Sequence, residues 1–274
     1  MTKTLLLLIS VSLITLSCNK GEENQESNIR LKKTSYSYES TSSKMSGYRL
    51  FNYNSQGKIS TIERLTVNED LVNNSKTETR ALTQLEYNAN GTLQKSTHSL
   101  NNKPVFYFTY YHDNNGRIIK MLHTLLEPGL AVQDRAFAYD AQGRLIADTG
   151  YASPFYTFHY NTYGYDAAGN TVRYGGGRKH TAEGDVIPYE EGFGKYDNKR
   201  NPYSLLDPGY HVLFELTSGS LFNRNNPVEF RRVNSTAIET YHNIYLPNGL
   251  LQAYMTQAAS GLVVKELFEY EQTE

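Results

Sequence analysis

The residues of this chain whose types could do chemistry are scattered. Its seven histidines stand at positions 98, 112, 123, 159, 180, 211 and 242, and none is paired at a metal-ligand spacing. His159 alternates with Phe158 and Tyr160 in a stretch that reads as a strand, which suits a structural role. Glu190 and Glu191 supply two carboxylates, the groups that glycoside hydrolysis uses. Adjacent residues of an extended segment point to opposite faces, however, so a solvated loop is the plainer reading, and Asp185 and Asp197 are no better placed. There is no P-loop, dinucleotide fingerprint, G-x-S-x-G elbow or H-E-x-x-H helix. The residue patterns thus predict no catalytic residue, no metal site and no cofactor.

Recognition is the other chemistry on offer. The chain has 23 tyrosines and no tryptophan, and rings left exposed on a sheet can stack on sugars. Tyr48, Tyr107, Tyr151, Tyr156 and Tyr160 are the candidates for such a glycan-binding face, although a β-sheet core makes the same demand for aromatic residues. Nucleic acid is not an expected partner, because binding it takes clustered Lys and Arg to neutralise phosphates. The formal charge is −1, and the one basic cluster, Arg178 to His180, is short and reads as a loop.

The elements that must position these residues come from a repeat. Aligned on glycine, the turns are Y-N-S-Q-G (Tyr53 to Gly57), Y-N-A-N-G (Tyr87 to Gly91), H-D-N-N-G (His112 to Gly116), Y-D-A-Q-G (Tyr139 to Gly143) and Y-D-A-A-G (Tyr165 to Gly169), with a looser Y-L-P-N-G ending at Gly249. The first five glycines are 34, 25, 27 and 26 residues apart, a period that fits two strands and two turns. Asn or Asp opens each strict turn by accepting a hydrogen bond from the backbone two residues on. Glycine then takes the left-handed conformation that closes a three-residue hairpin loop with a bulge. That geometry sets the register: Tyr53 should face Ile59, Tyr87 Leu93, His112 Ile118, Tyr139 Leu145, Tyr165 Thr171 and Tyr245 Leu251. Phe51, Leu85, Tyr110, Phe137 and Tyr163, two residues before the turn aromatics, should share their face.

Y-D-A-Q-G-R-L (Tyr139 to Leu145) and Y-D-A-A-G-N (Tyr165 to Asn170) resemble the YD repeats of the RHS proteins, and the general layout is similar to uncharacterised YD-repeat lipoproteins of Bacteroidetes. The resemblance implies an array of hairpins. It does not imply encapsulation, since the large RHS shells need many more repeats to enclose a cargo.

Lys3 precedes an apolar run from Leu5 to Leu16, too short to span a bilayer and read as the core of a signal peptide over 1–17. The run leads to Cys18, the only cysteine, so no internal disulfide is available. T-L-S-C (Thr15 to Cys18) resembles a bacterial lipobox, with Thr15 where leucine is usual. This resemblance implies acylation of Cys18, hence a membrane partner through a lipid anchor. Residues 18–30 form a polar tether, and Glu22 and Glu23 resemble the export signal that sends some Bacteroidetes lipoproteins to the cell surface. Removing 1–17 takes away Lys3 alone and leaves a formal charge of −2.

Residues 31–274 then form one β-rich domain, an all-β antiparallel meander curled as a long sheet or incomplete barrel. Its pattern breaks around 175–235, where two Asn-Pro turns stand and Tyr203 to Leu216 could form a short helix. The final Phe268 to Glu271 reads as half of a hairpin and as a closing strand. The function these features predict is a non-enzymatic, structural or binding scaffold of the outer membrane, with a glycan or an envelope protein as its partner and the cell surface as the location that Glu22 and Glu23 imply. A carbohydrate-active enzyme with its site in the 175–235 insertion is the alternative.

Overall fold

The computed structural model describes residues 29–126, 133–151, 158–181, 184–192, 194–206, 223–231, 238–257 and 261–273. Cys18, the polar stretch before Ile29, Tyr156, His211 and most of Tyr203 to Leu216 lie outside them. The strands in chain order are β1 (Ile29–Glu39), β2 (Ser43–Tyr53), β3 (Ile59–Asp70), β4 (Ser75–Tyr87), β5 (Leu93–Leu100), β6 (Lys103–His112), β7 (Ile118–Leu125), β8 (Gln133–Tyr139) and β9 (Leu145–Tyr151). They continue as β10 (Phe158–Tyr165), β11 (Thr171–Lys179), β12 (Ile187–Gly192), β13 (Tyr196–Arg200), β14 (Asn225–Pro227), β15 (Glu229–Arg231), β16 (Ile238–Tyr245), β17 (Leu251–Gln257) and β18 (Val263–Gln272). One 3-10 turn, Pro202–Leu205, is the helical element among the described residues.

Sixteen of the strands make one antiparallel sheet, which runs from β12 back through β1 and then from β18 to β15. The closing strand read at Phe268 to Glu271 is β18, and it joins the two ends of the chain by pairing with β1. Arg30 donates to Glu271 across that seam at 2.6 Å. The sheet does not close into a barrel: its edges are β12 and β15, and a separate two-stranded sheet of β13 and β14 lies in sequence between them. The segments beside these edges nevertheless meet, for the Val228 amide, just before β15, donates to the carbonyl of Lys195, just after β12, at 2.9 Å.

The turns follow from the residue types. All six turn glycines hold φ between 75 and 87°, a conformation costly for any residue with a Cβ. The six register pairs expected from the turns, from Tyr53 with Ile59 to Tyr245 with Leu251, are all present, and after each the ladder skips one residue of the outgoing strand, as at Ser60 between the Tyr53–Ile59 and Asn52–Thr61 pairs. Alternation then sends Phe51, Leu85, Tyr110, Phe137 and Tyr163 to one face, where each is at most 9% exposed. Among the described residues no second sheet covers this face, so the sheet buries it by curling around it, with Tyr203 and Leu206 packed inside.

Two local readings change. Glu190 and Glu191 stand in β12, their backbones opposite Gly175 and Tyr174, rather than in a solvated loop. The basic cluster is not a loop either, since β11 runs through Lys179. The glycine run Gly175 to Gly177, where the repeat pattern breaks, marks close packing within a strand: a Cβ on Gly177 would lie 2.6 Å from the Tyr160 ring.

Candidate functional site

Three of the hairpins are fastened to the one before by their turn tyrosine, whereas the third turn carries His112 in its place. The Tyr87 hydroxyl donates to the Ile59 carbonyl at 2.7 Å, Tyr139 to Ile118 at 2.8 Å and Tyr165 to Leu145 at 2.6 Å. In these three the acceptor is the residue two beyond the previous turn glycine, while Tyr53, which no such turn precedes, donates to the Leu31 carbonyl at 2.6 Å. Burial pushes the Tyr139 and Tyr165 phenols up to about 12, so both keep the proton they donate.

The Asp and Arg of Y-D-x-x-G-R complete the fastening. Asp140 Oδ1 accepts from the amides of Gln142 and Arg144 at 3.0 and 2.8 Å, while Arg144 Nε donates to Asp140 Oδ2 at 2.7 Å. The same guanidinium lies 4.8 Å from the centre of the Tyr165 ring and reaches the Asp166 carbonyl at 3.5 Å. Arg117 repeats this from Asp113 to Tyr139. Hydrogen bonds from the Arg117 amide and side chain hold the Asp113 carboxyl below the usual range. One arginine thus neutralises the aspartate of its own turn and covers the tyrosine of the next.

The sequence reading missed two copies of this contact. Tyr196 donates to the Thr171 carbonyl at 2.5 Å and Tyr270 to the Leu251 carbonyl at 2.6 Å, although neither is followed by a turn glycine. The Tyr-Asp dipeptide at Tyr196 and Asp197 was the available signal. Tyr245 departs from the pattern, with its hydroxyl donating to Asp197.

Two carboxylates, Asp148 and Glu266, occupy the core face beyond the aromatic row. Asp148 is 1% exposed. It receives Arg135 Nη2 at 2.7 Å, the Asn161 amide at 3.0 Å and the Tyr163 hydroxyl at 2.6 Å. Glu266 accepts from the hydroxyls of Tyr254, at 2.8 Å, and Tyr203, with Arg49 3.8 Å away. Burial raises its carboxyl above the usual range against the pull of these donors. Through Tyr203, whose ring stands edge-on to Phe268 at 5.8 Å, the 175–235 insertion enters the core. Asp197 also accepts from the amides of Lys199 and Asn226 at 2.8 and 3.2 Å.

These partners bear on the sequence candidates. Asp185 is exposed ahead of β12, whereas Asp197 is held by its own turn and by Tyr245. The histidines at 98 and 123 do come together, both packed on Phe106 and Phe108. Burial, with the neighbouring His123 and Arg64, pushes His98 down to about 4. Among the described residues no group of three or more His, Cys, Asp or Glu could hold a metal ion. Of the aromatic candidates, Tyr48, Tyr107 and Tyr160 are half-buried on β2, β6 and β10, on the face opposite the core. Each lies four strand spacings from the next, about 19 Å at ~4.8 Å per spacing, so they form separate contacts rather than one platform. Tyr151 ends β9.

Comparison with known proteins gives the same architecture. No curated protein matches the chain. A porin-like protein from Bacteroides uniformis is 11% identical with a TM-score of 0.59, over 88% of this chain and 98% of that one, a likeness of fold. The chains titled TcdB2-TccC3-TEV and Tc holotoxin pore of Photorhabdus luminescens are 13% and 14% identical, with TM-scores of 0.31 and 0.32. They match 80% and 84% of this chain, which spans only 13% and 16% of their length. Residues 19–190 match the teneurin YD-shell family, and with its turn tyrosines fastened hairpin to hairpin, the chain belongs to that family.

Proposed function

We propose that the protein is a non-enzymatic scaffold of the cell envelope, anchored to the outer membrane by a lipid on Cys18 and offering its curled sheet to a glycan or protein partner. The observation that carries this reading is the tyrosine-to-carbonyl ladder. The repeated Tyr, Asp and Arg are consumed in joining hairpins, and Asp148, Glu266 and Asp197 each accept several hydrogen bonds from their neighbours. Such saturation suits a structural role, for a general acid or base needs an open approach to the proton it moves. Membership of a YD-shell family supports the same reading.

The anchor is tested by labelling cells with a fatty-acid probe. Wild type should take up label and Cys18→Ala should not; equal labelling sinks the anchor. Digestion of intact cells with protease addresses display, where an uncut protein counts against a surface location. For the absence of catalysis, the purified protein is incubated with a polysaccharide panel. Hydrolysis that disappears on replacing Asp185, Glu190 or Asp197 would overturn the non-enzymatic reading.

A further inference from the structure

The core face of β3 to β6 carries a pocket of about 240 Å³ whose lining includes Ile62, Arg64, Thr83, His98, Leu100 and Phe106. Its walls are mainly apolar and aromatic, with Thr83, His98 and Ser99 as the polar residues beside Arg64. Ile62 is 2% exposed, whereas Leu100 is 39% exposed. His98 stacks on Phe106 with ring centres 4.5 Å apart. The two nitrogens of His98 lie 3.1 Å from the Thr83 and Ser96 hydroxyls, so the ring is a fixed wall element rather than a free base.

Arg64 carries the one formal charge in this lining. Across the strand pair it stands opposite a second cation, Arg49, and like charges directly opposite one another are unfavourable. Arg49 has Glu266 as a counter-charge at 3.8 Å. Among the described residues Arg64 has neither a hydrogen bond nor an ion pair, and it is exposed. An apolar pocket with a single unmatched cation is a site short of an anion.

We propose that this pocket binds a small carboxylate with an apolar tail, its head group on the Arg64 guanidinium and its chain against Ile62, Leu100 and Phe106. The volume, below the roughly 300 Å³ at which drug-sized pockets begin, restricts the ligand to a short chain. Arginine suits the head group because its planar fork meets a carboxylate with two parallel hydrogen bonds.

Titration of the full chain with sodium hexanoate, sodium acetate, 1-hexanol and hexylammonium chloride tests the proposal, read by calorimetry and by the ring resonances of His98. Hexanoate should bind saturably and move His98. Acetate, which lacks the tail, and hexanol, which lacks the charge, should each bind about tenfold more weakly or worse, the scale of one lost charge-assisted contact. Hexylammonium should not bind. A bound anion should also raise the pKa of His98, by favouring the imidazolium. Arg64→Gln, at an exposed site, should keep its urea midpoint and lose the preference for hexanoate over hexanol. Equal binding of hexanol and hexanoate, an unchanged preference in Arg64→Gln, or no response to hexanoate would each overturn the assignment. The acetate and hexanol arms need no variant, so they decide the matter even if Arg64→Gln fails to fold.

Discussion

The Tyr165 hydroxyl donates to the backbone carbonyl of Leu145 at 2.6 Å, and this contact links the β8–β9 hairpin to the β10–β11 hairpin. Tyr165→Phe keeps the ring and removes only the donor. It should destabilise the fold by about 0.5–1.5 kcal/mol, the net contribution of one such hydrogen bond. The urea midpoint should fall with an unchanged slope. Tyr87→Phe breaks the equivalent contact to Ile59 several strands away, so the two losses should add. A double variant no less stable than either single one would show that the ladder does not hold the repeats together.

Gly143 and Gly47 separate two reasons for glycine. Gly143 has a φ of 80° and nothing within 4 Å of an added Cβ. Gly143→Ala should therefore cost about 1 kcal/mol from backbone conformation alone, and Gly143→Asn less, because asparagine tolerates that region. At Gly47 a Cβ would lie 2.0 Å from the Leu65 carbonyl oxygen and 2.8 Å from the Tyr36 hydroxyl. Gly47→Ala must shift a central strand and should cost about 3 kcal/mol, the upper end for overpacking. Thermal denaturation of the three variants should reproduce this order.

The fold was legible where local chemistry fixes geometry. An Asx residue and a left-handed glycine set each turn, each turn sets a register, and the register sets which side chains are buried, as the pairing of Tyr139 with Leu145 shows. Legibility ended where the partners are far apart in the chain. Asp148 reads as an ordinary strand aspartate until β8 and β10 bring Arg135 and Asn161 to it. Tyr203 and Glu266 are 63 residues apart, and no local pattern joins them. Arg64 is one more charged residue in the sequence, and its want of a partner emerges only once Arg49 is placed across from it.

Asp148 is a buried charge whose donors are Arg135, Asn161 and Tyr163. Removing one member of a buried pair leaves the other without compensation and typically costs about 3–5 kcal/mol. Arg135→Met should reach that range, because the carboxylate remains. Tyr163→Phe should cost less, about 1–3 kcal/mol, since Arg135 and Asn161 stay. A double-mutant cycle on Arg135 and Tyr163 should show coupling, because both donate to one carboxylate. Strict additivity would mean that the three groups do not act as a network.

His98 gives the fold a pH dependence whose sign is fixed by its depressed value. Its pKa is about 4 in the folded protein, against roughly 6.5 in an unfolded chain. As pH falls the unfolded state takes up the proton first. The contribution of His98 is thus whole above pH ~6.5, declines between there and about 4, and falls no further below. Its upper bound is roughly 3 kcal/mol from the size of the shift. Asp113, also held below its ordinary value, contributes stability above the unfolded carboxylate range that is lost at still lower pH. The two steps can be told apart with His98→Asn, which should reduce the slope of the midpoint between pH 6.5 and 4, leaving the share of His159, also held low by burial, and the acid limb in place. A slope unchanged in that variant would assign the proton uptake to another group, and the burial of the His98 ring would then carry no cost in charge.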